Sequence, residues 1–267
     1  MRKTKKYMNN NDVINILLEM EIPAHMLKDF PVLPTEVEGI LIYGSQARGD
    51  AGPDSDLDIL ALVPRPRPST HSGDVNISYY TLDQLSTGAG TLFGSHLKRD
   101  AKIIQDDTGY LTQAIINMGE VNTNRLFNRA RNMSQIFTNL DRDIPKHLSG
   151  LLRQARYLLR SCLYAQAIAE DRPCFSVREL SARHSDEDLP RLLTSRPEGE
   201  NSVKDLEECL SRLREIVGDF PHNKHGSLEA TVINEWGNSS DVLSMAFLAL
   251  EPKEMGGDYT EMEMILL

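Results

Sequence analysis

The residues whose types and spacing could do chemistry lie in one run, Gly44-Ser45-Gln46-Ala47-Arg48-Gly49-Asp50-Ala51-Gly52-Pro53-Asp54-Ser55-Asp56-Leu57-Asp58-Ile59. Ahead of it, Gly39-Ile40-Leu41-Ile42-Tyr43 is short and β-rich, and reads as a buried strand stopped by Gly44. A strand ending in Gly-Ser and opening a brief helical turn offers backbone N–H groups and a hydroxyl, which attract a phosphate. Asp56 and Asp58 then flank Leu57 at the entry to a second buried strand, 57–63. Side chains two apart in a strand point to the same face, so the two carboxylates are held together. Their repulsion is relieved by a divalent cation, and magnesium characteristically takes one or two carboxylates plus substrate phosphates. An isolated Asp-x-Asp in an acidic chain is ordinarily a solvated turn. What singles this one out is the full arrangement of strand, Gly-Ser, small-residue turn and Asp-apolar-Asp.

The elements that must position these groups follow from periodicity. Residues 12–30 open with Val13, Ile14, Ile16, Leu17 and Met20, an amphipathic helical rhythm that Pro31 and Pro34 terminate. After the 57–63 strand, the prolines at 64, 66 and 68 and the segment through Gly73 predict an exposed loop. Val75 to Tyr80 reads as a third strand, and Thr81 with Gln84 three residues on matches a capping box. From about residue 110 the strand signals stop, and helical periods fill 110–118, 121–140, 145–169, 177–184 and 203–217. In the longest of these, Leu148, Leu151, Leu152, Ala155, Leu159, Cys162 and Leu163 share one face while Lys146, Arg153, Arg156 and Arg160 form another stripe. The expected architecture is α+β: a small mixed sheet flanked by helices over 1–110, an all-helical bundle over 111–250, and a tail over 251–267.

Composition narrows the class. The chain has 267 residues, 40% of them hydrophobic, enough for a substantial core in one or two domains. Lys and Arg total 29 against 39 Asp and Glu, and the formal charge of −10 argues against nonspecific duplex binding. Cys162, Cys174 and Cys209 show no C-x-x-C spacing, which disfavours a disulfide framework or a structural zinc site. No apolar stretch is long enough to cross a bilayer, and the basic N-terminus leads into asparagines; the expectation is a cytoplasmic protein. His71, His96, His147, His184, His222 and His225 have no ligand spacing, and Trp236 reads as a core residue.

Gly44-Ser45 with Asp56-Leu57-Asp58 resembles the signature of the DNA polymerase β-like nucleotidyltransferase superfamily, in its minimal and aminoglycoside-modifying branches. The resemblance implies a third carboxylate on the following strand. Asp74, in Asp74-Val75-Asn76-Ile77, is taken as that position, with Asn76 as the rival register. If Asn76 holds the position, the third carboxylate is missing. Further along, Arg160, Tyr164 and a turn containing Pro173 are similar to the helical bundle of streptomycin and spectinomycin adenylyltransferases, where basic residues reach the triphosphate. Arg160 matches one such residue, whereas the lysine of the next helix is replaced around Ser176.

By this resemblance Asp56, Asp58 and Asp74 are the catalytic and metal-holding residues, binding two magnesium ions. Gly44, Ser45, Arg48 and Arg160 are the nucleotide-binding ones. The implied reaction moves a nucleoside monophosphate, AMP from ATP in this reading, onto a hydroxyl with loss of pyrophosphate. The acceptor is an aminoglycoside-like small molecule, or a protein or RNA target in a toxin–antitoxin or defence setting, with a protein partner from the same operon conceivable and no membrane partner. The alternative is a catalytically silent subunit that binds nucleotide or a partner. Asp74 against Asn76 decides between the two: a closed three-carboxylate triangle favours the enzyme, and Asn76 turned inward with Asp74 in solvent favours the binding module.

Overall fold

The structure, a computed structural model, describes residues 9–52, 55–194, 201–238 and 240–251. The chain divides into two compact units, Met1–Glu120 and Val121–Leu267. In the first, Asn9 caps helix α1 (Asn10–Glu19): its side chain accepts from the Asp12 N–H at 3.0 Å, and the Asp12 carboxylate accepts from the Asn9 N–H at 3.3 Å. Val13 and Leu17, one turn apart, are buried. The helix stops well before residue 30 because Glu21 adopts a left-handed φ of 67° and Pro23 follows it. Residues 22–33 nevertheless contribute Ile22, Met26, Leu27 and Leu33 to the core.

Next come β1 (Gly39–Tyr43), α2 (Gly44–Arg48), β2 (Leu57–Leu62), β3 (Thr70–Ser72) and β4 (Val75–Tyr80). They are followed by α3 (Leu82–Ser86), α4 (Leu92–Asp100), β5 (Lys102–Gln105) and α5 (Tyr110–Ile116). The strands form one mixed sheet in the order β3-β4-β2-β1-β5. β2 runs parallel to β4, and the other neighbouring pairs are antiparallel. Period two divides the sheet into faces. Ile40, Ile42, Leu57, Ile59, Ala61, Val75, Ile77 and Tyr79 join α1 and the 22–33 segment in one hydrophobic cluster. The alternate residues of β1, β2 and β4, including Leu41, Asp58, Leu60 and Asn76, point to the opposite face. The α3 helix begins with the expected Thr81–Gln84 capping box. Two strands escape the sequence reading: β3, hidden in the predicted exposed loop, and β5. Both are short, and neither alternates cleanly. The boundary also moves, because α5 packs on β1, α3 and α4 and so belongs to the first unit.

The second unit is helical among its described residues. It contains α6 (Thr123–Met133), α7 (Ile144–Ala169), α8 (Val177–His184), α9 (Leu189–Leu193), α10 (Val203–Val217), α11 (Leu228–Glu235) and α12 (Asp241–Leu250). The α7 helix is the axis, packed by α6, α10 and α12. Its expected apolar face is real: Leu151, Leu152, Ala155, Leu159 and Cys162 are fully buried. Gly150 marks the crossing with α12, where a Cβ would stand 1.9 Å from the Ala249 carbonyl oxygen. Trp236 is a correction to the sequence reading, since it follows α11 at 72% exposure and is no core residue. Among the described residues no helix is long and apolar enough to cross a membrane. The proposed tail, apart from Glu251, lies outside the described residues.

Candidate active site

The site grows from where β1 ends and β2 begins. Tyr43 pairs with Asp58 across the antiparallel β1–β2 ladder, and Asp58 pairs with Asn76 across the parallel β2–β4 ladder. These residues therefore stand side by side on one sheet face. Asp56 lies two residues before Asp58, just ahead of β2, and is exposed; Asp58 is half-buried. Asn76 is only 7% exposed. Its side-chain Nδ2 donates to Asp56 Oδ2 at 3.2 Å and to Asp58 Oδ1 at 3.5 Å. One nitrogen reaches both carboxylates, so the two acids converge as their spacing predicts. A hydrogen bond to a charged acceptor contributes about 1.5–3 kcal/mol, enough to keep an amide in place between two anions.

Gly44 is the hinge of this arrangement. Its φ is +74°, and a Cβ there would stand 2.6 Å from Asp58 Oδ2. The glycine thus serves both needs, a left-handed backbone and room for the carboxylate against the main chain. It opens α2, whose N-terminus carries no side-chain cap. Ser45, the second residue of α2, is half-buried, and its carbonyl accepts from the Gly49 and Asp50 N–H groups at 2.9 and 3.1 Å.

The third acidic position departs from expectation. Asp74 lies in the exposed Gly73-Asp74 turn between β3 and β4, where its carbonyl accepts from the Leu57 N–H at 2.8 Å. The side chain that joins Asp56 and Asp58 is that of Asn76, the rival register. Among the described residues no group of three or more His, Cys, Asp or Glu side chains is gathered to hold a metal ion. The physical reason is the strand register: Asp58 is level with Asn76, and Asp74 precedes the first ladder pair, Leu57 with Val75. His71, which has no ligand spacing in the sequence, is given a partner here by the sheet. It is paired with Asn76 across β3–β4, and its Nδ1 is hydrogen-bonded to Asn76 Oδ1. With that oxygen accepting from His71, the amide nitrogen is turned toward the carboxylates. A polar residue between Val75 and Ile77 in a buried strand was the available signal for Asn76; nothing in the proline-rich loop marked His71.

Arg48 is engaged within the first unit. Its Nε donates to Asp50 Oδ1 at 3.1 Å, and its Nη1 lies 3.3 Å from Asp100 Oδ2 and 3.1 Å from His96 Nε2. Burial, then the charges of Arg48 and Arg99, push the His96 pKa down from 6.5 to about 3. The Asp100 carboxylate, 3.4 Å from the same ring nitrogen, acts in the other direction. The neutral ring prevails, because a guanidinium N–H needs the imidazole lone pair as its acceptor. Arg48 thereby joins α2 to α4.

The basic stripe of α7 is mostly structural. The Lys146 amine lies 3.5 Å from Glu229. Arg153 donates to the Leu248 carbonyl and, at 3.1 Å, to the Glu251 carbonyl, closing the C-terminus of α12. Arg156 is buried, donating to the Leu192 carbonyl at 2.8 Å and to Asn201 Oδ1 at 3.3 Å. Arg160 is half-buried on the same helix. Tyr157 is buried, and Tyr164 packs edge-on against Phe175. Ser176, where the resemblance expects a lysine, caps α8. His225 Nε2 lies 3.0 Å from Glu235 Oε1.

No curated protein matches the chain. Residues 25–122 match the family model of the nucleotidyltransferase domain, a span that covers the sheet, Gly44, both aspartates and Asn76. Over these residues the chain is thus similar to the nucleotidyltransferase domain family.

Proposed function

We propose that the chain binds a nucleoside triphosphate with a divalent cation at Asp56 and Asp58 and transfers the nucleoside monophosphate to a hydroxyl acceptor. The observation that carries this reading is the convergence of the two carboxylates on one sheet face beside Gly44, inside the span similar to the nucleotidyltransferase domain family. Two adjacent carboxylates with room for phosphate oxygens are a donor set suited to magnesium. Bound there, the cation would supply charge stabilisation at the phosphate oxygens. Gly44 leaves the backbone low beneath the phosphates, and Ser45 offers a hydroxyl and an N–H at the start of α2. In the reaction the acceptor oxygen bonds to the α-phosphorus, the α–β bridging bond breaks, and pyrophosphate departs while the hydroxyl proton passes to water. ATP and magnesium are our choice of donor and cation. An aminoglycoside-like cationic acceptor suits an acidic protein through electrostatic steering; a protein or RNA hydroxyl is the other candidate.

A second reading is favoured by a specific observation. Asn76, an amide, joins the pair where the family pattern places an acid, and Asp74 is exposed. That substitution suits a subunit that binds nucleotide without turning it over. One experiment separates the readings: the protein is incubated with magnesium, each α-labelled triphosphate, and a drug panel, total tRNA or total cell protein. Label on an acceptor that disappears in Asp56→Ala supports transfer. Retained nucleotide with no labelled acceptor supports the silent subunit. Neither binding nor transfer contradicts both.

A further inference from the structure

The donor set at the start of β2 differs from the three-carboxylate set that two cations need. We infer that this site takes a single divalent cation with its nucleotide, because Asn76, oriented by His71, fills the third position with a hydrogen-bond donor. The inference rests on the proposed role of Asp56 and Asp58 as holders of a cation and nucleotide.

Three observations lead here. First, Asn76 is level with Asp58 in the ladder and nearly fully buried, so its amide has little freedom to leave. Second, its Oδ1 is occupied by His71 Nδ1 from the neighbouring strand, while its Nδ2 spans Asp56 and Asp58. An amide held this way presents N–H to the site, and N–H repels a cation where a carboxylate would bind one. Third, among the described residues no other His, Cys, Asp or Glu completes a cluster of three. Two carboxylates carry enough charge to share one cation with a triphosphate. A second cation beside them would meet the amide hydrogens in place of the missing negative charge.

The role of His71 is positional. Without it, and with a cation neutralising the two carboxylates, Asn76 could turn its carbonyl oxygen toward the site, because an amide oxygen is itself a ligand for hard cations. The His71 hydrogen bond selects the opposite orientation, and the β3–β4 register places that imidazole beside the amide.

The test is the number of manganese ions bound per protein in the presence of a non-hydrolysable ATP analogue, read by electron paramagnetic resonance of free Mn²⁺. Wild type is expected to bind one ion, and Asn76→Asp two, each with a wild-type melting profile once the ions are present. Transfer to any acceptor, where detected, should rise about 10²-fold or more in Asn76→Asp, because a carboxylate restores general-base assistance at that position. Two ions bound to wild type would overturn the inference while leaving the proposed nucleotide site standing. No ion bound by wild type with nucleotide would overturn both. Should Asn76→Asp fail to fold, the wild-type stoichiometry still decides, with Asp58→Asn expected to weaken binding of the single ion by about tenfold or more.

Discussion

Replacing Gly44 by alanine should separate the fold of the first unit from its ability to hold a cation. An alanine at φ +74° meets the left-handed penalty of about 1–2 kcal/mol. Its Cβ would also stand 2.6 Å from Asp58 Oδ2, and ordinary contact begins at 3.4 Å, so the carboxylate must withdraw by about 0.8 Å. The obstructing atom ends a side chain that can rotate, so the domain survives with Asp58 displaced. Metal–ligand distances tolerate only about 0.2 Å of departure, so a shift of this size dismantles the site. Gly49→Ala supplies the control: its φ is +83°, yet nothing lies within 4 Å of the added Cβ. Both variants should lose about 1–2 kcal/mol, a fall in Tm of roughly 2–15 °C depending on the size of the cooperative unit. Only Gly44→Ala should weaken Mn²⁺ binding in the presence of nucleotide, by about tenfold or more, as measured by titration calorimetry. If Gly44→Ala binds Mn²⁺ as wild type does, or if Gly49→Ala loses binding equally, the link between the glycine and the Asp58 position is refuted.

Other consequences follow from groups away from the carboxylates. His96, neutral in the fold down to a pKa of about 3, takes up a proton in the unfolded chain below about 6.5, so the native state loses stability as pH falls through that window. From pH 7.5 to 5.5 the loss should be on the order of 1 kcal/mol by urea unfolding; a His96→Asn variant with the same pH slope would show that another group is responsible. Gly150→Ala should destabilise the helical unit by about 1–3 kcal/mol or more, because the obstruction is Ala249 backbone rather than a movable side chain; an unchanged melting temperature would contradict the close α7–α12 crossing. Arg156→Ala should lower stability with no change in nucleotide affinity, since its guanidinium serves Leu192 and Asn201. Reduced ATP binding at unchanged stability would assign Arg156 to the nucleotide instead.

The parts of this protein that announce themselves in sequence are those fixed by local physics. Asp56 and Asp58 converge because strand side chains repeat every two residues, and the apolar run that follows guarantees a strand. Thr81 and Gln84 cap their helix by a bond pattern three residues wide, and the face of α7 follows from a period near 3.6. What was not legible depends on contacts between distant segments. Asn76 occupies the third position because of the β2–β4 register, which places it level with Asp58 and leaves Asp74 in a turn. No spacing within 74–77 fixes that alignment. His71 enters through a three-residue strand that looked like loop. Lys146, Arg153 and Arg156 show in sequence only as a basic stripe, and their partners lie on α11, α12 and the segments around residues 192 and 201. Trp236 shows the converse, an aromatic residue that composition assigns to a core and the chain path leaves in solvent.

Asp56 and Asp58 jointly grip the nucleotide-bound cation in the proposed site, and calorimetric titration of ATP in magnesium into wild type and Asp58→Asn tests this directly. The prediction is saturable binding by wild type, weakened by about tenfold or more in the variant and abolished in both when magnesium is chelated. Equal affinity in the two proteins, or binding indifferent to chelation, would contradict it.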